Sequence, residues 1–224
     1  TIMGYSQYIA GRFAEITSFR QVLNMFVNWD GGWYMHIIQN GYSATPIAEE
    51  QANYAFFPLY PMLVRFFGDI FGGEYVLIGV LLSNIFTLIG ILYFYKLSER
   101  ISLSRKNDAK KLAFSSTLLL ICFPTAFLFT AVLSEALFFM LLTMSFYYAT
   151  QHKIVITAIL GFLTSMTRSV GLLVLIPVLY EFWFKNGLEL NPKKLFKNFD
   201  YRTILLFTIP LGMVAFAYYI YLLT

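Results

Sequence analysis

The chain has 224 residues and a formal net charge of +4, with 58% hydrophobic residues, 12% charged residues and a mean hydropathy of +0.66. Soluble domains carry roughly a quarter charged residues, and a chain of this size could not cover so much apolar surface with so few polar groups. Disorder, collagen and coiled coil are excluded, the 24 Phe and 16 Tyr fit the aromatic belts of a membrane protein, and the single Cys122 excludes a disulfide framework and a Cys-based zinc site.

Taken in chain order, the sequence starts at Thr1 without an initiator Met and without a secretory signal pattern. Ser18 and Gln21 have capping-box spacing. Phe19, Val22, Leu23, Phe26 and Val27 follow at helical intervals, which predicts an amphipathic helix on the membrane surface. Asp30-Gly31-Gly32 breaks it, and Trp33 to Asn40 reads as a second short helix closed by Gly41. Ser43 to Asn53 is a polar loop, and Phe56 to Phe67 is apolar but too short to span, hence interfacial or re-entrant. Six apolar runs then follow: Tyr75 to Tyr95, Leu112 to Thr130, Ala131 to Thr150, Ile154 to Met166, Ser169 to Phe184 and Ile204 to Leu223. Pro124, Pro177 and Pro210 lie inside them, as membrane helices tolerate when neighbours satisfy the backbone. Thr224 falls within an apolar run, so a fragment is expected.

Loop charge orients the spans. Lys96, Arg100, Arg105, Lys106, Lys110, Lys111, Lys153, Lys185, Lys193, Lys194, Lys197 and Arg202 fall in alternate loops, against Arg12, Arg20, Arg65 and Arg168 in the others. Twelve bases against four place the first set in the cytoplasm. The fold class expected is therefore all-α, a polytopic transmembrane protein with residues 1–55 as a structured external region and 56–224 as the membrane domain. The basic residues belong to this loop pattern, and no nucleic-acid partner is expected.

Three side chains stand out on the external side. Asp30 is the one acid between Glu15 and Glu49, flanked by Trp29, Trp33 and Tyr34. A carboxylate beside ring faces could act as a general base on a sugar hydroxyl; it could equally cap the helix that begins near Gly31. Arg168 stands between two short apolar runs, where a cation needs water or an anion, and the helix start at Ser169 favours an anion too; the other reading is a snorkelling, structural arginine. Glu135 is either an acid at a helix start or a carboxylate facing the same cavity as Asp30. His36 and His152 have no second ligand at metal spacing, so no metal site is expected. No Walker or dinucleotide motif occurs.

Trp29-Asp30-Gly31-Gly32-Trp33-Tyr34 with Ile37 and Gly41-Tyr42 resembles the first-loop motif of the PIG-V-type mannosyltransferases, the GPI mannosyltransferase 2 family among the GT-C membrane glycosyltransferases. Ala55-Phe56-Phe57-Pro58-Leu59-Tyr60-Pro61, then Phe123-Pro124-Thr125-Ala126-Phe127 with Ser134-Glu135, and Thr167-Arg168-Ser169-Val170-Gly171 resemble its later motifs in the right order. Gly31-Gly32 and Ser169-Val170 depart from the commonest pattern, and the family normally has a membrane helix before the first loop. The resemblance implies a GT-C-like fold. It also implies inverting transfer of mannose or another hexose from a polyprenyl- or dolichyl-phosphate sugar to a lipid-linked or glycan acceptor on the non-cytoplasmic face, as in GPI-anchor-like biosynthesis. Asp30 would be the catalytic base, Arg168 would neutralise the leaving phosphate, and Trp29, Trp33, Tyr34 and Glu135 would bind substrate. The donor is a substrate, and no cofactor is implied.

Two other readings compete: a GT-C transferase for another sugar or a protein acceptor, and a lipid or solute transporter. Transporters place ionisable groups near the midplane, whereas the acids here sit toward one face. A non-catalytic subunit of a GPI-type pathway is a third reading, against which Asp30 weighs. The absence of an Asn-x-Ser/Thr sequon favours a bacterial cell membrane over the endoplasmic reticulum.

Overall fold

A computed structural model describes residues 18–43, 53–104, 108–183 and 200–223. The Ser43 to Asn53 loop, except for its ends, and the basic residues Arg12, Arg105, Lys106, Lys185, Lys193, Lys194 and Lys197 lie outside the described residues. Within them the chain is all-α, with no strand.

Helix α1 (Phe19–Asn24) begins with the anticipated reciprocal cap. Gln21 N donates to Ser18 Oγ at 3.4 Å, and Ser18 N donates to Gln21 Oε1 at 3.0 Å. Leu23 is buried while Phe19, Val22 and Met25 are exposed, so the helix turns much of its apolar side outward. Helix α2 (Gly31–Asn40) ends at Gly41, whose φ of +80° suits glycine and whose N–H reaches Ile37 O at 2.9 Å. Its buried residues Tyr34, Ile37 and Ile38 share one face at the helical period.

Helix α3 (Leu59–Ile70) carries Pro61 in its first turn, where a missing N–H costs little. Its buried Tyr60 hydroxyl contacts Ser83 Oγ at 2.9 Å on α4 (Tyr75–Ser104). Helices α5 (Ala109–Ile121), α6 (Glu135–Ala149), α7 (Ile154–Ser165), α8 (Leu175–Trp183) and α9 (Leu211–Leu223) follow, with 3₁₀ turns at Ala126–Thr130, Ser169–Val174 and Tyr201–Thr208. One apolar cluster joins α2, α3, α4 and α6 through Tyr34, Ile38, Val64, Ile78, Val132 and Leu137. A second joins α7, α8 and the Tyr201–Thr208 turn through Ala158, Val178, Phe182 and Leu206.

The six apolar runs are not all continuous helices. The Leu112 to Thr130 run is helical only to Ile121, and α6 starts at Glu135 rather than Ala131. The Ile204 to Leu223 run divides into a 3₁₀ turn and α9 at Pro210. Proline explains both breaks, since Pro124 and Pro210 have no N–H to donate and clash with the preceding turn. Two stretches among the described residues are long and apolar enough to cross a membrane, Tyr75–Leu103 with 29 residues and Tyr201–Leu223 with 23. Glu135–Ala149, Ile154–Ser165 and Ser169–Trp183 are shorter apolar helices.

Candidate active site

The site is assembled from three distant segments: the start of α2, the start of α6 and the turn after α7. Trp29 and Asp30 precede α2. Trp29 has a φ of +51°, uncommon for a bulky residue and a mark of local backbone strain. Its side chain is 66% exposed and its ring lies 5.5 Å from that of Phe127. Asp30 occupies the N-cap position with helical backbone angles, yet its side chain makes no capping hydrogen bond. The carboxylate is therefore not committed to the helix, and the residue is exposed.

One turn into α2, Trp33 is half-buried and stacks on Phe56, with centroids 5.9 Å apart and planes 17° from parallel. Tyr34 also meets Phe56. It is 5% exposed, its ring edge-on to Phe56 and Tyr60, and its hydroxyl donates to Ser134 Oγ at 2.7 Å. That ring, offered by the sequence as a sugar-stacking face, is packed into the core. Burial pushes the phenol up to about 12, so it stays a neutral donor.

Ser134 and Glu135 open α6, and Arg168 precedes the Ser169–Val174 turn. Arg168 Nη1 pairs with Glu135 Oε1, the two side chains being 39% and 27% exposed. Burial lowers the Arg168 pKa, but the hydrogen bond and charge of Glu135, joined by Tyr34 and Asp30, turn the net shift upward. Asp30 also acts on Tyr34, as do Glu135 and Arg168. Asp30, Tyr34, Glu135 and Arg168 thus share one electrostatic neighbourhood, although Asp30 makes no ion pair among the described residues.

Backbone contacts hold this arrangement. Val132 N donates to Phe26 O at 2.9 Å, fixing the approach to α6 against the approach to α2. Leu59 N donates to Met166 O at 3.2 Å, fixing the start of α3 against the turn that carries Arg168. A cavity of about 370 Å³ opens beside this second contact, lined by Ile37, Tyr42, Pro61, Met62, Met166 and Phe216 among others, with Arg65 its one charged side chain among the described residues. It lies at the C-terminal end of α2, about 15 Å along the helix from Asp30 at 1.5 Å per residue.

Sequence reasoning named Asp30, Trp29, Trp33, Glu135 and Arg168 but missed three partners. Phe127 and Phe56, which flank the two tryptophans, and Ser134, which takes the Tyr34 bond, all lie inside quoted motif stretches, so the signal was present. His36 Nδ1 is buried without a hydrogen-bond partner. Among the described residues no group of three or more His, Cys, Asp or Glu is placed to hold a metal.

The family model described as Mannosyltransferase (PIG-V) matches residues 10–223. No curated protein and no solved structure matches the chain.

Proposed function

The chain belongs to the PIG-V mannosyltransferase family and is a glycosyltransferase, and from that premise we propose that it moves mannose from a polyprenyl- or dolichyl-phosphate sugar to a lipid-linked or glycan acceptor at the non-cytoplasmic membrane face. The observation that supports this most is the grouping of an uncapped, exposed Asp30 with the Glu135–Arg168 pair around Tyr34.

Asp30 takes the proton from the acceptor hydroxyl. The hydroxyl oxygen bonds to the mannose C1 from the face opposite the phosphate, the C1–O(phosphate) bond breaks with inversion, and its electron pair leaves on the lipid phosphate. Arg168 neutralises that departing charge, where electrostatic stabilisation is worth most. Trp29 presents an exposed ring to a sugar and Trp33 a half-buried one. Tyr34 acts through position, because its ring is covered. The apolar cavity next to Met166 suits a prenyl tail whose phosphate lies at Arg168, two residues further on. Its volume falls within the roughly 300–1,000 Å³ usual for ligand pockets. A single-phosphate donor has no diphosphate to bridge, so the reading requires no cofactor.

The polytopic arrangement belongs to the same proposal. The two long apolar stretches cross the membrane, the three shorter helices complete a bundle, and the twelve-to-four charge division orients it with Asp30 outside. A bacterial cell membrane suits the lack of a sequon.

Asp30→Asn tests the catalytic role. Asn keeps the size and polarity of the side chain but cannot take up the proton. General-base catalysis is worth about 100- to 10,000-fold, so transfer by the purified variant from a defined polyprenyl-phosphate mannose should fall at least a hundredfold. Near-normal turnover would remove Asp30 as the base.

A further inference from the structure

The Glu135–Arg168 pair is only half made. Arg168 Nη1 donates to Glu135 Oε1, while Glu135 Oε2 is buried and has no hydrogen-bond partner. A guanidinium can clasp a carboxylate through two parallel N–H···O bonds. The contact here leaves one carboxylate oxygen unsatisfied, and it uses one of the five N–H donors that an arginine offers.

Among the described residues, Asp30 and Glu135 are the two acids and Arg168 the one base that act on Tyr34. A phosphate approaching Arg168 meets a guanidinium already compensated by Glu135 and a site that is net negative. Its binding is opposed by both carboxylates. Glu135 is the one in contact, and both partners are partly open to the outside.

We infer that Glu135 is a displaceable counter-ion: the lipid phosphate takes Arg168 from Glu135, so that the guanidinium passes from carboxylate to phosphate when the donor binds. This rests on the reading of Arg168 as the phosphate residue. In the empty site the pair keeps a half-buried cation compensated, which avoids the cost of an unpaired charge away from water. In the loaded site the phosphate gains the Nη1 donor that Glu135 releases.

The test is calorimetric titration of a short-chain polyprenyl phosphate into the full chain in detergent micelles. Removing a competing charge from a partly exposed pair is worth about 1 kcal/mol at most, so Glu135→Gln should tighten binding up to about fivefold. Arg168→Gln should weaken binding, and adding Glu135→Gln to it should bring no gain. Glu135→Asp, a methylene shorter and still charged, should also tighten binding and stands in if the Gln variant loses its helical circular dichroism. Unchanged or weaker binding by Glu135→Gln, with Arg168→Gln still weakening it, would overturn the exchange and leave Glu135 as a holder of Arg168. A gain that persists without Arg168 would reduce the effect to general charge repulsion and overturn it too. Binding indifferent to Arg168→Gln would sink the phosphate reading itself.

Discussion

Removing the hydroxyl of Tyr34 leaves Ser134 Oγ, buried at the start of α6, without the donor it now has. Orphaning a buried polar group costs about 1–3 kcal/mol, so Tyr34→Phe should lower stability by that amount in urea unfolding of the solubilised protein. The pH dependence has a defined sign. Because burial raises the phenol from its ordinary 10 to about 12, the folded state holds the proton more tightly than the unfolded one. The contribution is fully present below pH 10 and is lost as pH rises through 12. The phenylalanine variant should show a smaller alkaline loss over that interval. Asp30 and Arg168 were legible as isolated charges in apolar surroundings and were grouped by their common external side, whereas the direct pairing of Arg168 with Glu135 was not, because no local pattern links residues so far apart. Tyr34 was misread by attending to its neighbours Trp29 and Trp33. Its spacing to Ile37 and Ile38 places it on the buried face of α2, a signal the sequence does contain.

Among the elements, the turn after α7 leaves no room for a larger residue at Gly171. A Cβ on Gly171 would fall 2.3 Å from Thr164 O and 2.6 Å from Thr164 C, both backbone atoms of α7. Gly171→Ala must therefore displace the Ser169–Val174 turn and, with it, Arg168. Overpacking of this kind costs about 1–3 kcal/mol, and the loss of activity should exceed what that destabilisation explains, measured as transfer at a temperature where the variant is still folded. Membrane orientation is checked on a Cys122→Ser background. Gln39→Cys, exposed at the end of α2, should react with an impermeant thiol reagent in intact cells, and Lys110→Cys, exposed on α5, only after permeabilisation. The reverse pattern would invert the proposed topology. Helix content was readable from apolar runs, and the cap of α1 and the Gly41 stop of α2 fell where local chemistry put them. The breaks at Pro124 and Pro210 were not, since hydropathy records composition and is blind to a missing N–H.

The whole molecule brings together segments that are far apart along the chain. The Tyr34–Ser134 bond closes a separation of 100 residues, and the Arg168–Glu135 pair one of 33. Membrane helices insert first and pack afterwards, so helix content and membrane integration are set before these contacts exist. The site then reports on a later event. While the chain is being made, the α2 segment emerges with Asp30 long before Ser134 and Arg168 are synthesised, and it must wait in an incomplete state with the Tyr34 hydroxyl lacking its Ser134 acceptor. A nascent chain stalled ahead of Ser134 would hold every atom of the proposed base and neither Glu135 nor Arg168. Competence to transfer sugar would then appear abruptly with chain length, once the stretch through Phe216 that lines the cavity has left the ribosome, rather than growing helix by helix.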